Sequence, residues 1–174
     1  MDAIECILTR RSIRSYKNEP VSEEDLCKIL ECARYAPSGI NNQEWHFSVV
    51  ENKKWLNEMS KIIGEDMNRP NYNVTYGAPV LIIVSHKRGN LLYEHDGACA
   101  LENIFLAANA LGLGSCWINQ LGDEIHYKNP SFAGLLKEAG VPEGYKVIGC
   151  AAVGYPNQKV EAKDRKENTI TILR

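Results

Sequence analysis

The sequence has no paired-cysteine motif, no unbroken apolar run long enough to cross a bilayer, no histidines at metal-site spacing and no excess of basic charge. Each absence argues against a class of protein. The six cysteines (Cys6, Cys27, Cys32, Cys99, Cys116, Cys150) are scattered through mostly apolar segments. Disulfide frameworks, iron–sulfur clusters and structural zinc instead bring their ligands in close pairs or at high density, so the thiols are expected to be reduced and largely buried. Lys and Arg number 20 against 22 Asp and Glu, a formal net charge of -2. The broad positive field of a nucleic-acid or polybasic membrane binder is therefore missing, and any anion site must be local. His46, His86, His95 and His126 lack H-x-x-x-H spacing, and no carboxylate pair stands out, which disfavours metal and hydrolytic mechanisms. Residues 1–14 place their arginines after the apolar positions, with no leader-like stretch, so the expected location is cytoplasmic.

What is present is 44% hydrophobic residues in a chain of 174, enough for one sizeable core and short for two. The expectation is a single domain over residues 1–174, with 157–174 as a C-terminal arm. Asp2 and Glu5 form a capping pattern for a first helix striped by Ile4, Ile7 and Leu8. Ser22, followed by Glu23, Glu24 and Asp25, starts a second helix that Pro37 ends. Trp45 to Val50 reads as a strand. Asn52 caps a helix carrying Trp55, Leu56, Met59, Ile62 and Ile63 and closed by Gly64. Residues 65–78 are polar and broken by Pro70, a loop and candidate lid. Val80 to Val84 suits a strand buried on both faces, and Glu94 to Leu111 an alanine-rich helix with Gly112 just beyond it. Ser115 to Ile118 and Lys146 to Val153 read as strands around a helix from Ser131 to Ala139 ended by Gly140. Thr169 to Leu173 alternates as a strand does, but would need a sheet to join. Helices interspersed with four or five strands predict an α+β fold, a mixed central sheet covered by helices.

Four constellations have chemical meaning. Arg10, Arg11, Ser12 and Arg14 gather guanidinium forks and a hydroxyl where a helix gives way to extended chain, a donor set suited to phosphate; the same cations also complement a helix C-terminal dipole and sit in solvent. Pro37-Ser38-Gly39-Ile40-Asn41-Asn42-Gln43 loads a turn with amides that donate and accept at once, as the imide edge of a flat heterocycle requires, while any helix-to-strand turn prefers the same residues. Gly112-Leu113-Gly114-Ser115-Cys116-Trp117-Ile118-Asn119-Gln120 follows a helix instead of opening one, which is wrong for a Rossmann fingerprint. Cys116 has no histidine in a local nucleophile motif, and core packing explains it. Lys163 and Arg165 stand in the charged tail, where solvated charge is the simplest account.

Taken together, R-R-S-I-R at 10–14, P-S-G-I-N-N-Q at 37–43, G-L-G-S-C-W at 112–117 and K-D-R at 163–165 resemble the nitroreductase family, in the family's order and across nearly the whole chain. The resemblance implies a non-covalent FMN held at the interface of an entwined homodimer, with the C-terminal strand exchanged into the partner's sheet. By position, Arg10, Arg11, Ser12 and Arg14 would contact the phosphate and ribityl chain, with Arg14 also near the pyrimidine end, and Lys163 and Arg165 would form a second phosphate clamp. From the other subunit, Pro37, Ser38, Gly39 and Asn41 would line the isoalloxazine, with Gln43 close behind. Trp117, Ile118 and Asn119 would pass along the ring edge and offer a backbone N–H to N5. Hydride from NADH or NADPH would enter at N5 and leave to a nitroaromatic, quinone or similar small-molecule acceptor in ping-pong fashion, with no side-chain nucleophile. Glu44 stands where many members have proline. The segment after Gly64 is short beside the helical excursion of longer members, which leaves the substrate pocket open; Tyr72 and Tyr76 either line it or are ordinary loop residues. Three rivals remain at this stage: a flavin reductase-type relative with another acceptor, a non-enzymatic FMN-binding or storage module, and a nucleotide-sensing protein using the Arg10–Arg14 patch.

Overall fold

Short polar side chains set where the helices begin. In the computed structural model, which describes residues 1–89 and 91–174, Asp2 accepts a hydrogen bond from the Glu5 N–H at 2.9 Å and starts α1, Ala3–Thr9. Ser22 accepts from Asp25 N–H at 3.1 Å and starts α2, Glu23–Arg34. Asn52 accepts from both Lys54 and Trp55 and starts α3, Lys53–Asp66. Each satisfies helix N–H groups that have no partner inside the helix. The cap of α5, Pro130–Glu138, is Asn129 and not Ser131, because Pro130 supplies a first helical residue with no N–H to satisfy. Gly112 and Gly140, at φ +77° and +82°, turn the chain out of α4, Tyr93–Ala110, and α5.

Gly64 does not close α3. It lies inside the helix, where a Cβ would stand 2.8 Å from the Arg69 carbonyl oxygen. Its missing side chain lets the following turn fold back, so that Arg69 N–H donates to the Gly64 carbonyl at 2.7 Å.

Four strands, β1 Trp45–Val50, β2 Val80–Lys87, β3 Gly114–Ile118 and β4 Tyr145–Gly154, form one sheet in the order β1-β2-β4-β3 with every neighbour antiparallel. Among the described residues the parallel component is a single bridge, Ser12 to Ser115, at the outer edge of β3. All of β2 except Lys87 is buried. Its side chains alternate between two cores, as strand geometry dictates. Leu81 and Ile83 pack with Trp55, Met59, Ile63 and Phe132 under α3 and α5; Val80, Ile82 and Val84 pack with Ile29, Leu101 and Ile104 under α2 and α4.

Two expectations meet a different outcome in the single chain. Ile4, Ile7 and Leu8 do not face inward; they are 67%, 54% and 66% exposed, and only Cys6 of α1 is buried, against α4. Thr169 to Leu173 forms no strand among the described residues, and Ile170, Ile172 and Leu173 are 82%, 69% and 97% exposed. The thiols divide evenly: Cys6, Cys116 and Cys150 are buried, whereas Cys27, Cys32 and Cys99 are exposed. Among the described residues no helix is long and apolar enough to cross a membrane.

Candidate functional site

Beyond α1 the chain runs along the free edge of β3. Ile13 N–H donates to the Ser115 carbonyl at 2.9 Å, and Gly114 makes that approach feasible, since a Cβ there would stand 2.8 Å from Ile13 Cγ1. The two glycines of the Gly112–Gly114 segment thus have separate tasks: Gly112 ends α4, and Gly114 opens a flat cradle for residues 12–14. Because backbone polar groups in a strand point to alternate edges, the Trp117 N–H and C=O face the same outer edge as the Ser115 carbonyl. The Ile118 side chain is buried, and by the same alternation its N–H and C=O turn inward to β4. The Trp117 indole donates to Asn119 Oδ1 at 3.3 Å, and Asn119 in turn donates to Asp123.

The arginines divide by role. Arg11 bends back and donates to the Leu8 and Arg10 carbonyls at 2.8 and 2.7 Å, closing the C-terminus of α1. Arg10 has one long ion pair, 3.9 Å to Glu102, and lines a groove of about 340 Å³ with Thr9, Ile13, Ser115, Pro156 and Lys159. Arg14 lies over the Tyr76 ring at 5.8 Å. Beneath them, burial pushes the Cys116 thiol above its ordinary range against the opposing pull of Arg14, Arg10 and the Ser12 hydroxyl. Burial thus favours the protonated thiol over the thiolate. Burial also pushes up the Tyr16 hydroxyl, which donates to the Ile13 carbonyl at 2.7 Å.

The arm leaves from this same edge. Lys17 N–H donates to Tyr155 and Asn157 N–H to Ser15, both at 2.9 Å. Further out, Lys163 and Arg165 are exposed, and the chain does not bring them onto the arginine cluster.

The amide-rich turn lies elsewhere. Pro37, Ser38, Gly39, Asn41 and Gln43 precede β1, the strand at the opposite edge of the sheet from β3. Ile40, Asn41 and Gln43 take φ of +47°, +60° and +51°, a left-handed conformation that costs on the order of 1 kcal/mol or more per non-glycine residue. Ile40, β-branched and 93% exposed, is the sharpest outlier. Internal bonds brace the turn: Gln43 N–H to Ser38 Oγ at 3.1 Å and Gln43 Nε2 to Asn41 Oδ1 at 2.9 Å.

Residues 65–78 are pinned. Val74 and Thr75 are buried, Val74 N–H donates to Ser60 Oγ at 3.2 Å, and Asn73 Oδ1 accepts from Thr75 and Gly77. Tyr72 and Tyr76 are half-buried, with Arg69 4.9 Å from the Tyr72 ring. Two residues that pattern did not single out, His86 and Asp96, lie buried behind the amide turn, and Gly39 N–H donates to Asp96 Oδ1 at 3.0 Å. Asp96 reads in the sequence as one more acid complementing the start of a helix, so only the fold discloses it.

The sequence matches the Nitroreductase family over residues 7–155. It is 34% identical over 170 residues to a protein of Archaeoglobus fulgidus described as an NADH dehydrogenase/NAD(P)H nitroreductase, covering 94% of this chain and 92% of that one. The fold superimposes on a nitroreductase with bound FMN from Bacteroides fragilis with a TM-score of 0.92 at 39% identity, each chain covered in full. A second nitroreductase with bound FMN, from Desulfitobacterium hafniense, gives 0.87 at 28% identity, again with full coverage of both chains. With that extent of match in sequence and in fold, this chain belongs to the nitroreductase family of oxidoreductases.

Proposed function

We propose that the chain is an FMN-dependent NAD(P)H oxidoreductase whose flavin lies between two copies. The observation that carries the reading is the separation of donors. The phosphate-type cluster and open β3 edge are at one side of the sheet, the amide turn at the other, so a second copy supplies what each half lacks. The chemistry of the donors fits the cofactor. Arg10, Ser12 and Arg14 hold the phosphate and ribityl end, on the stretch of chain that Gly114 lets lie close against β3. Arg11 adds its remaining N–H donors while capping α1. Lys163 and Arg165, on an arm that starts beside the cluster, close on the phosphate in the dimer. The Trp117 N–H faces outward along the ring edge, Ile118 and Asn119 continue that stretch of chain, and Pro37, Ser38, Gly39, Asn41 and Gln43 of the second copy line the ring.

When bound, FMN supplies hydride chemistry at N5, between NADH or NADPH and a nitroaromatic, quinone or similar acceptor. Around it the protein's work is electrostatic and positional. Arg14, permanently charged, stabilises the negative charge that collects at the pyrimidine end on reduction. Tyr72 and Tyr76 wall the opening above it. Donor and acceptor use one open face in turn, which gives ping-pong kinetics.

The test is the visible spectrum of purified protein, followed anaerobically as NADH or NADPH is added. A flavin band that bleaches, and returns when a nitroaromatic or quinone is added, supports the proposal. A bound flavin that stays oxidised with both donors favours a storage module, and protein that takes up no FMN refutes it.

A further inference from the structure

The turn Ser38–Gln43 is held in its strained shape by something behind it. Gly39 packs so closely on Leu92 that a Cβ would collide with that side chain, and its N–H donates to Asp96 Oδ1 at 3.0 Å. Asp96 belongs to the first turn of α4, where the helix dipole favours a carboxylate. Its other oxygen, Oδ2, faces Nε2 of His86 at 3.6 Å, with the imidazole fully buried in β2. His86 Nδ1 lies 3.0 Å from the Lys87 carbonyl. A carbonyl only accepts, so Nδ1 carries a proton and Nε2 is the atom turned to the carboxylate. Asp96 Oδ2 and His86 Nε2 have no hydrogen-bond partner among the described residues. Packing alone requires neither polar atom, and buried polar groups without partners are uncommon enough to call for a role.

We propose that Asp96, backed by His86, is a positioning residue that fixes the Gly39 N–H and so holds the Ser38–Gln43 turn in the shape that meets the flavin of the partner subunit. This rests on the reading that the turn lines the ring. The bond joins the Gly39 N–H to a carboxylate that is 4% exposed, where loss of a partner is costly. It anchors the turn at one point while Ile40, Asn41 and Gln43 remain outward and left-handed.

The experiment compares wild type, Asp96→Asn and Asp96→Ala by two readouts: amide hydrogen exchange at Gly39 in the flavin-free protein, and FMN affinity by flavin fluorescence. Asparagine keeps an acceptor and the shape; alanine removes both. Gly39 exchange accelerates in the order wild type, Asn, Ala, while amides in the middle of β2 and α4 keep their protection. FMN affinity falls about tenfold or more in Asp96→Ala and is largely restored in Asp96→Asn. A merely structural role would instead loosen β2 and α4 together with Gly39. Should Asp96→Ala fail to fold, Asp96→Asn decides alone: faster exchange at Gly39 supports the proposal, and wild-type exchange overturns it. Wild-type protein that takes up no FMN defeats the flavin reading, and Gly39 exchange then still decides the positioning claim.

Discussion

Arg10 makes one long ion pair at the surface, and such a pair contributes at most about 1 kcal/mol to stability. Its guanidinium therefore has little to lose by turning to a phosphate, where a charge-assisted bond contributes about 1.5–3 kcal/mol. Combining Arg10→Ala with Arg165→Ala is expected to weaken FMN binding by about a hundredfold while leaving an assembled dimer; fluorescence titration beside light scattering checks both halves, and unchanged affinity would sink the phosphate assignment. The buried thiols make a prediction of another kind. Burial pushes both Cys116 and Cys150 up, so the folded chain retains protons that the unfolded chain releases as pH rises through the ordinary thiol value of about 8.5. Stability from these groups is complete below that pH and is lost above it. Urea midpoints should therefore fall between about pH 7.5 and about pH 10, with a shallower fall in Cys150→Ala. The same upward shift predicts that Cys116→Ala retains NAD(P)H oxidation, with an unaltered profile near neutral pH.

Helices and strands are the scale at which the sequence was most legible, because their signals are local. Asp2, Ser22 and Asn52 cap the helices that their spacing announces, and Trp45–Val50 has the predicted ends. Where a neighbour in space decides, the local signal misleads: Gly64 continues α3 because Arg69 folds over it, and no pattern linked Asp96 to Gly39, 57 positions away. The candidate site was legible in part for the same reason. Its donors form short motifs, but their distribution over opposite edges of the sheet follows from the strand order. Gly114 shows how an element depends on one absent side chain. Gly114→Ala forces residues 12–14 off β3, since Ile13 Cγ1 lies within 2.8 Å of the new Cβ. The expected loss is about 1–3 kcal/mol in urea unfolding, with weaker FMN binding than the stability change alone explains.

At the scale of the whole molecule, exposed apolar side chains cluster near the two ends of the chain, besides others between them such as Tyr35, Ile40, Leu91 and Ile125. Ile4, Ile7 and Leu8 present a stripe on α1 that turns away from its own core, and Ile170, Ile172 and Leu173 stand on an arm with no partner in the chain. Burying one such side chain contributes about 1.5–3 kcal/mol, which favours a partner that covers them. In the proposed arrangement a second copy covers them and also completes the flavin site, so loss of assembly should bring loss of cofactor binding with it. Deleting residues 159–174 removes the arm with Lys163 and Arg165, and Ile4→Glu with Leu8→Glu charges the α1 stripe while leaving every proposed flavin contact in place. Both chains are expected to behave as monomers in light scattering, with FMN affinity reduced by about a hundredfold or more. The second variant is the sharper test, because no ligand residue has been touched. A charged-stripe monomer that still binds FMN as wild type does would mean that one copy owns the whole site, whereas loss of flavin with loss of the dimer would tie the cofactor to the interface.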